Sequence, residues 1–203
     1  MRSLLGRPRI YSLFRRLVGR DTARAVYARE HLRLEPGQRV LDLGCGPGDI
    51  LQFLPAVDYV GYDINPAYIE RARLRFGQRG EFHCQAVDDT LSLQMKFDVV
   101  IAHGVLHHLD DDAAATLFGV ARRALKPGGR LVTFDGCFAE DQSALARLFL
   151  SLDRGRHVRS REGYERLARG GFDEVKCFVR HDLIRIPYTH LIMECGTPRP
   201  SPT

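Results

Sequence analysis

The stretch VLDLGCGPGDI, residues 40–50, decides the fold of this protein. An apolar run that contains Asp42 passes directly into three closely spaced glycines, Gly44, Gly46 and Gly48. Glycine lets the backbone turn sharply and come close to a ligand, and the start of a following helix offers free N–H groups. The stretch therefore predicts a buried strand, a tight turn and a ligand lying against that turn.

A dinucleotide-binding loop has a related pattern, in which a strand is followed by G-x-G-x-x-G or G-x-G-x-x-A. Here the sixth position is Asp49. The pyrophosphate of a dinucleotide binds at the helix N-terminus, and a carboxylate at that position would repel it. The loop therefore disfavours NAD, and a nicotinamide-dependent oxidoreductase is kept only as an alternative.

Apolar runs and helical patterns alternate on both sides of this stretch. The runs predict seven strands, at 39–44, 59–64, 81–87, 97–104, 130–136, 173–181 and 188–196. Helical patterns occupy 65–77, 111–129, 142–152 and 160–172. Such alternation is typical of a parallel sheet between helices, and the short connection between the last two runs predicts an antiparallel final strand. We therefore predict an α/β fold with a doubly wound, mostly parallel seven-stranded sheet and helices on both faces.

Charge is distributed unevenly along the chain. Residues 1–33 contain nine arginines and only two acidic residues, whereas the net charge of all 203 residues is +5. We interpret residues 1–33 as a basic N-terminal helical arm or lid, residues 34–197 as a single domain and residues 198–203 as a disordered tail. A basic arm of this kind is either a solvated helix face or suited to peripheral contact with an anionic membrane surface.

The composition, 44% hydrophobic and 27% charged, is that of a globular protein. Five scattered cysteines without a CxxC pair predict a reducing cytoplasm, with no disulfide framework and no zinc ribbon. We predict no metal site. No apolar run approaches the roughly 20 residues of a membrane span, and the first residues lack a secretory pattern. Aromatic and basic residues are not interleaved as in proteins that stack nucleic acid strands. A small-molecule partner is therefore favoured over nucleic acid, and the oligomeric state stays open.

Other segments accompany the glycines. Asp63 ends the second predicted strand, at a position suited to binding both hydroxyls of a ribose. LDLGCGPG (41–48), together with FDVVIAHGVLHHL (97–109) and LKPGGRLV (125–132), resembles the class I S-adenosylmethionine-dependent methyltransferase family, of the small methyltransferase-domain type. The resemblance covers about residues 38–136. It implies a Rossmann-like methyltransferase fold, S-adenosylmethionine as the cofactor and S-adenosylhomocysteine as the product.

The resemblance also implies roles for matching positions. The backbone of Gly44, Cys45 and Gly46 would pass under the methionine part of the cofactor, and Asp42 would help to hold its amino group. Asp63 would bind the ribose hydroxyls. The remaining expected cofactor contacts are Ile64, Val87 and Asp88 around the adenine, and Ala102 and His103 near the amino group and the sulfonium. In the basic arm, Tyr11 is a further candidate that would close over the cofactor.

Methyl transfer from a sulfonium is an in-line displacement with a good leaving group, so the protein mainly orients and desolvates the reactants. A base helps when the acceptor is a hydroxyl, and histidine is the commonest base. His107 and His108 lie where the acceptor is expected, so both are candidates. The segments 152–165 and 181–190 are expected to cross the same edge of the sheet, and they supply the candidate acceptor contacts Arg154, Arg159, Arg185, Tyr188 and His190.

The function predicted from these residues is methyl transfer from S-adenosylmethionine to a small-molecule or glycan-type acceptor. Oxygen is favoured over nitrogen as the acceptor atom. The Asn/Asp-Pro-Pro-aromatic stretch of enzymes that methylate exocyclic amines of bases or of glutamine is absent after the fourth strand, which disfavours those acceptors. Besides the oxidoreductase, one alternative stays open. It is a non-catalytic relative that binds the cofactor and acts as an interaction module, since methyl transfer has no obligatory catalytic side chain.

Overall fold

The computed structural model describes residues 19–88, 91, 95–152 and 155–198. Its strands are β1 (Arg39–Leu43), β2 (Asp58–Asp63), β3 (Glu81–Cys84), β4 (Phe97–His103), β5 (Leu125–Phe138), β6 (Arg159–Ser160), β7 (Phe172–Arg180) and β8 (His190–Pro198). Its α-helices are α1 (Arg20–Val26), α2 (Pro66–Phe76), α3 (Asp111–Ala124), α4 (Ala144–Ser151) and α5 (Arg161–Arg169). Residues 1–18 of the predicted arm, Tyr11 among them, Arg154 and tail residues 199–203 lie outside the described residues.

Seven of the strands form one sheet in the order β3-β2-β1-β4-β5-β8-β7. Neighbouring strands are parallel except β8, which is antiparallel to both β5 and β7. The predicted mostly parallel seven-stranded sheet with an antiparallel final strand is thus confirmed. A two-residue strand, β6, was not predicted and pairs with the end of β5. The chain reverses direction across the sheet between β1 and β4, which is where open α/β sheets bind their ligands.

Two strand boundaries differ from the prediction by three residues or more. β5 begins at Leu125, five residues early, because Leu125 pairs with Phe97 before a register shift brings Arg130 opposite Val99. The helix predicted over 111–129 consequently ends at Ala124. β3 ends at Cys84, so the segment predicted as its last three residues is a loop at the carboxyl edge of the sheet.

The second half of the predicted arm is a layer of the fold. α1 continues as a π-helix over Tyr27–Leu32, and both of these residues are completely buried. The hydroxyl of Tyr27 donates a hydrogen bond to the Val132 carbonyl of β5 at 2.8 Å. One face of the sheet therefore packs against α1 and α2, and the other packs against α3 and α5.

Candidate active site

The glycine turn after β1 is fixed on one side and open on the other. Gly44 has φ 79°, and a Cβ at this residue would lie 2.5 Å from Cγ2 of Val105. The backbone N–H groups of Gly44 and Cys45 donate to the Tyr62 carbonyl of β2, at 2.8 and 2.9 Å. Gly46 has φ 53°, and among the described residues no atom other than those of its two chain neighbours lies within 4 Å of the place where its Cβ would be. A ligand can therefore approach the backbone over Gly46.

The carboxylate of Asp63 joins this turn to the end of β2. One oxygen accepts a hydrogen bond from the Gly46 N–H, and the other accepts from the Asn65 N–H, both at 2.8 Å. Asn65 caps α2 through its own side chain, as the sequence predicts, so Asp63 is left at the strand end for a ligand. Ile64 follows with 74% of its surface exposed, which suits an apolar contact with adenine.

Asp42, two residues before Gly44, carries a buried carboxyl that is only 1% exposed. One oxygen accepts from the Tyr59 hydroxyl at 2.6 Å, and the other has no hydrogen-bond partner among the described residues. Burial above all raises the pKa of Asp42 to about 7, with the hydrogen bond from Tyr59 lowering it and the charge of Asp63 raising it. A buried acceptor without a partner is costly. The amino group of the cofactor would supply the missing donor, so this residue fits the expected ligand.

We predict that cofactor binding releases a proton from Asp42. Without ligand the carboxyl is mostly neutral below its pKa of about 7, and an adjacent cationic amino group favours the ionised form. Affinity for S-adenosylhomocysteine should therefore rise with pH up to about 7 and then level off. Calorimetry near pH 6 in two buffers of different ionisation enthalpy measures the released proton. Asp42→Asn should abolish the release, and an unchanged release in that variant would contradict the assignment.

The raised pKa of Asp42 also makes the stability of the unliganded protein depend on pH. The folded pKa of Asp42 lies above the value of about 3.9 in an unfolded chain. Its stabilising contribution is thus complete below about pH 4 and is lost as the pH rises through 7. In the Asp42→Asn variant the free energy of unfolding should therefore depend less on pH between about 4 and 7.

Asp49, the residue that disfavours a dinucleotide, is buried and compensated by two arginines. Arg75 of α2 donates to one carboxylate oxygen, and Arg24 of α1 lies 3.8 Å from the other. Asp49 therefore ties both helices to the glycine turn. Cys45 packs its sulfur against Gly61 of β2, where a Cβ would lie 2.8 Å away, and burial raises the pKa of its thiol. Its side chain is a packing element, and only its backbone faces the site.

The expected contacts from β3 and β4 lie at the same edge of the sheet. Ala102 is fully buried in β4, and His103 ends that strand with its ring stacked on Phe134 at 4.6 Å. Val87 and Asp88 follow β3, where Val87 packs against the core and the Asp88 carbonyl accepts from the Leu91 N–H at 3.0 Å. The fold thus brings these residues to the same carboxyl edge of the sheet as the glycine turn.

His107 forms a dyad with a residue that the sequence reasoning missed. Its Nδ1 lies 2.7 Å from Oδ1 of Asp135 on β5, and its backbone N–H donates to the same oxygen at 3.2 Å. Asp135 is buried, and burial raises the pKa of its carboxyl while the hydrogen bond from His107 lowers it. His108 is exposed, with its ring 4.0 Å from that of His107. The signal available in the sequence was an acid within an apolar strand, as at Asp42.

The loop that carries His107 is held by the segment before α5. Arg159 donates to the carbonyls of Leu106 and Leu109, at 3.0 and 2.7 Å, and to the carboxylate of Asp111. A Cβ at Gly155 would clash with the ring of His107, so only glycine fits there. Arg159, predicted as an acceptor contact, thus has its guanidinium bonded to the histidine loop.

The other described acceptor candidates occupy two places. The rings of Tyr188 and His190 lie 4.7 Å apart, and His190 also lies 4.7 Å from Phe134. The Tyr188 hydroxyl lies over Gly136 of β5, next to Asp135, where a Cβ would be 2.5 Å away. Arg185 is exposed beside the start of α1. The structure therefore brings Tyr188 and His190 close to the dyad and places Arg185 towards the arm.

Two further observations concern the described part of the chain only. Within it, no helix has both the length and the apolar character required to cross a membrane. The same residues contain no cluster of three or more His, Cys, Asp or Glu side chains that could hold a metal ion.

Comparison with known proteins finds methyltransferases among the similar sequences. Residues 41–131 match the family model for the methyltransferase domain. An uncharacterized methyltransferase of Synechocystis sp. is 30% identical over 135 residues, which are 63% of each chain. Ubiquinone biosynthesis O-methyltransferase of Xylella fastidiosa is 36% identical over 101 residues, 47% of this chain and 40% of the relative. Cyclopropane-fatty-acyl-phospholipid synthase of Escherichia coli (strain K12) is 33% identical over 109 residues, 49% of this chain and 26% of the relative.

Solved structures share the fold at low sequence identity. The pyocyanin biosynthetic protein PhzM superimposes with a TM-score of 0.71 and 23% identity, over 97% of this chain and 60% of its own. The S-adenosylmethionine-dependent methyltransferase SibL gives 0.70 and 22%, over 89% of this chain and 56% of its own. The chain spans less than two thirds of the length of each of these proteins. With the glycine turn and the sheet order, these matches show that residues 41–131 are similar to methyltransferase domains and that the chain has the fold of S-adenosylmethionine-dependent methyltransferases.

Proposed function

We propose that this protein transfers a methyl group from S-adenosylmethionine to a hydroxyl oxygen of a small-molecule or glycan-type acceptor, with His107 as the base. The observation that carries the proposal is the 2.7 Å contact between Nδ1 of His107 and the buried carboxylate of Asp135. When bound, the cofactor supplies a methyl group on a positively charged sulfur, which is electrophilic. The chain has to position the acceptor oxygen in line with it and remove the proton.

The dyad is suited to removing that proton. Donation of the Nδ1 proton to Asp135 fixes the neutral tautomer of His107, in which Nε2 holds the lone pair. Nε2 takes the proton of the acceptor hydroxyl as the oxygen attacks the methyl group, and Asp135 stabilises the imidazolium that forms. A neutral amine is already nucleophilic and has less need of a base. The dyad therefore favours oxygen over nitrogen, and it favours His107 over His108.

The cofactor is proposed to lie along the carboxyl edge from β3 to β4. Asp63 binds the ribose hydroxyls, Asp42 binds the amino group, and the methionine part lies over Gly46. The adenine lies against Ile64, Val87 and Asp88, while Ala102 and His103 border the sulfonium and Tyr11 closes from the arm. On the acceptor side we propose Tyr188 and His190 as ring contacts, and Arg154, Arg159 and Arg185 as the cationic border.

Names of similar proteins support the reaction class and leave the acceptor atom open. The matches include an O-methyltransferase of ubiquinone biosynthesis, the human N-acetylserotonin methyltransferase and a phosphoethanolamine N-methyltransferase. The choice of oxygen therefore rests on the dyad. A cytoplasmic location is part of the proposal, and it is supported by five cysteines that are all free.

The proposal is tested with pairs of acceptors that share one skeleton and differ only in a hydroxyl or an amino group. The protein is incubated with methyl-labelled S-adenosylmethionine, and the labelled product and S-adenosylhomocysteine are measured. We expect label on the hydroxyl member of a pair. Label on the amino members alone would contradict the oxygen preference. Tight binding of S-adenosylhomocysteine without any product would favour the non-catalytic alternative.

A further inference from the structure

Tyr59 carries a buried hydroxyl near the glycine turn that the proposed reaction does not use. It lies in β2, next to the strand that carries Asp42, and is only 1% exposed. Its hydroxyl donates a hydrogen bond to Oδ2 of Asp42 at 2.6 Å. A phenylalanine would fill nearly the same volume, and a hydroxyl is costly to bury without a partner. The hydroxyl therefore serves the carboxyl of Asp42 rather than the packing of the core.

Two glycines leave room for the ring of Tyr59. A Cβ at Gly80, just before β3, would lie 2.8 Å from Cδ1 of the ring, and a Cβ at Gly61 in β2 would lie 3.1 Å from Cε1. Neither glycine has a positive φ, so the backbone conformation does not require glycine at either position. The space that the ring occupies does require it. The ring is thus enclosed by the fold, and its hydroxyl is held against Asp42.

The two oxygens of Asp42 have different surroundings. Oδ2 accepts the hydrogen bond from Tyr59, whereas Oδ1 has no hydrogen-bond partner among the described residues. Oδ1 is therefore the oxygen left for the amino group of the cofactor. Because hydrogen bonds to a carboxylate oxygen lie close to the carboxylate plane, a donor fixed on Oδ2 also limits the directions in which Oδ1 can accept. Tyr59 thus orients the oxygen that is proposed to bind the cofactor.

The same hydrogen bond acts on the charge of Asp42. Burial raises the pKa of this carboxyl, the bond from Tyr59 lowers it, and the charge of Asp63 raises it. Two further titratable groups face Asp42, the hydroxyl of Tyr27 in the π-helix and the thiol of Cys45 after β1. Burial raises the pKa of both, so they stay neutral in the range in which Asp42 titrates. Among the described residues that act on Asp42, Tyr59 is the one that favours the carboxylate.

We propose that Tyr59 is a positioning residue of the cofactor site, which holds Asp42 in the orientation and the charge state that bind the amino group of S-adenosylmethionine. The inference rests on the proposed function, because Tyr59 acts through a residue that is proposed to bind the cofactor. Tyr59 takes no part in the transfer of the methyl group itself. Its hydroxyl sets the pH range in which the protein binds its cofactor.

The test is calorimetric titration of the full chain with S-adenosylhomocysteine between pH 6 and pH 8.5, for the wild type and for Tyr59→Phe. The variant keeps the ring and loses the hydroxyl, so the pKa of Asp42 should rise and binding should require a higher pH. We expect the loss of affinity relative to the wild type to be about five- to tenfold larger at pH 6 than at pH 8.5, as for one hydrogen bond to a charged group. A merely structural loss would weaken binding by the same factor at every pH.

Tyr164→Phe is the matched control. It also removes a buried hydroxyl, which donates to the Gly136 carbonyl at 3.1 Å on the other face of the sheet. Its affinity should equal that of the wild type at every pH. In an Asp42→Asn background, Tyr59→Phe should leave the pH dependence of binding unchanged, because the titrating group has been removed. This double variant leaves no buried carboxyl unpaired, so it decides the question even if the single variant does not fold.

Three results would overturn the proposal. They are a Tyr59→Phe variant that follows the wild-type curve, a loss of affinity that is equal at every pH, and a change of pH dependence in the Asp42→Asn background. Equal thermal unfolding of the variants shows that their fold is intact. A wild type that does not bind S-adenosylhomocysteine would overturn this inference together with the proposed function, whereas normal wild-type binding beside any of the three results overturns the inference alone.

Discussion

Replacing His107 with glutamine is expected to lower the turnover number by about 10²–10⁴-fold, the usual contribution of a positioned general base. Glutamine keeps the polarity of the loop but cannot take the proton of the acceptor hydroxyl. The loss should fall on the turnover number rather than on the Michaelis constant of the acceptor, because the base acts in the transition state. The acidic limb of the pH–rate profile should disappear together with the base. Steady-state kinetics across the pH range measure both effects.

Two matched variants distinguish loss of the base at His107 from the effects of changing neighbouring residues. His108→Gln changes the adjacent exposed histidine and should leave turnover near the wild-type value. Asp135→Asn removes the buried charge that orients His107, so it should lower turnover and also shift the pH profile, a shift that a purely structural loss would not produce. Normal turnover of His107→Gln at every pH would exclude this residue as the base.

Asp63→Ala is expected to weaken binding of S-adenosylhomocysteine by about 10–150-fold, which corresponds to two charge-assisted hydrogen bonds to ribose hydroxyls. The structure adds a second reason. The Asp63 carboxylate also accepts the Gly46 N–H at 2.8 Å, so its removal leaves the open side of the glycine turn without this bond. Calorimetric titration of the purified variant gives the dissociation constant directly.

Asp58→Ala is the control for this measurement, because it removes an acid of the same type from the other end of β2. Asp58 forms an exposed ion pair with Arg39 at 2.7 Å, far from the carboxyl edge of the sheet. Its removal should leave cofactor affinity unchanged. If Asp63→Ala folds normally and binds S-adenosylhomocysteine as tightly as Asp58→Ala does, the ribose is held elsewhere.

The residues that we propose for the cofactor could be selected from the sequence because they follow from local patterns in the chain. The strand, the glycine turn and Asp42 lie within a few consecutive residues, and Asp63 ends the next strand. Parallel strands bring their carboxyl ends to one edge, so these positions follow from element order alone. The cap at Asn65 was predictable for the same reason, since a helix start involves only neighbouring residues.

Only the tertiary structure revealed the side-chain contacts on the proposed acceptor side. The dyad joins His107 to Asp135 across 28 residues, and Arg159 reaches the same loop from about 50 residues away. Asp49 is buried against arginines of two separate helices. Tyr27 is completely buried, so the second half of the predicted arm packs as part of the core. These contacts depend on how loops and helices pack against each other, which neither spacing nor hydrophobic period encodes. The sequence by itself therefore determined the fold and the edge of the sheet that we propose for the cofactor, and packing between distant segments decided that His107 pairs with the buried carboxylate of Asp135.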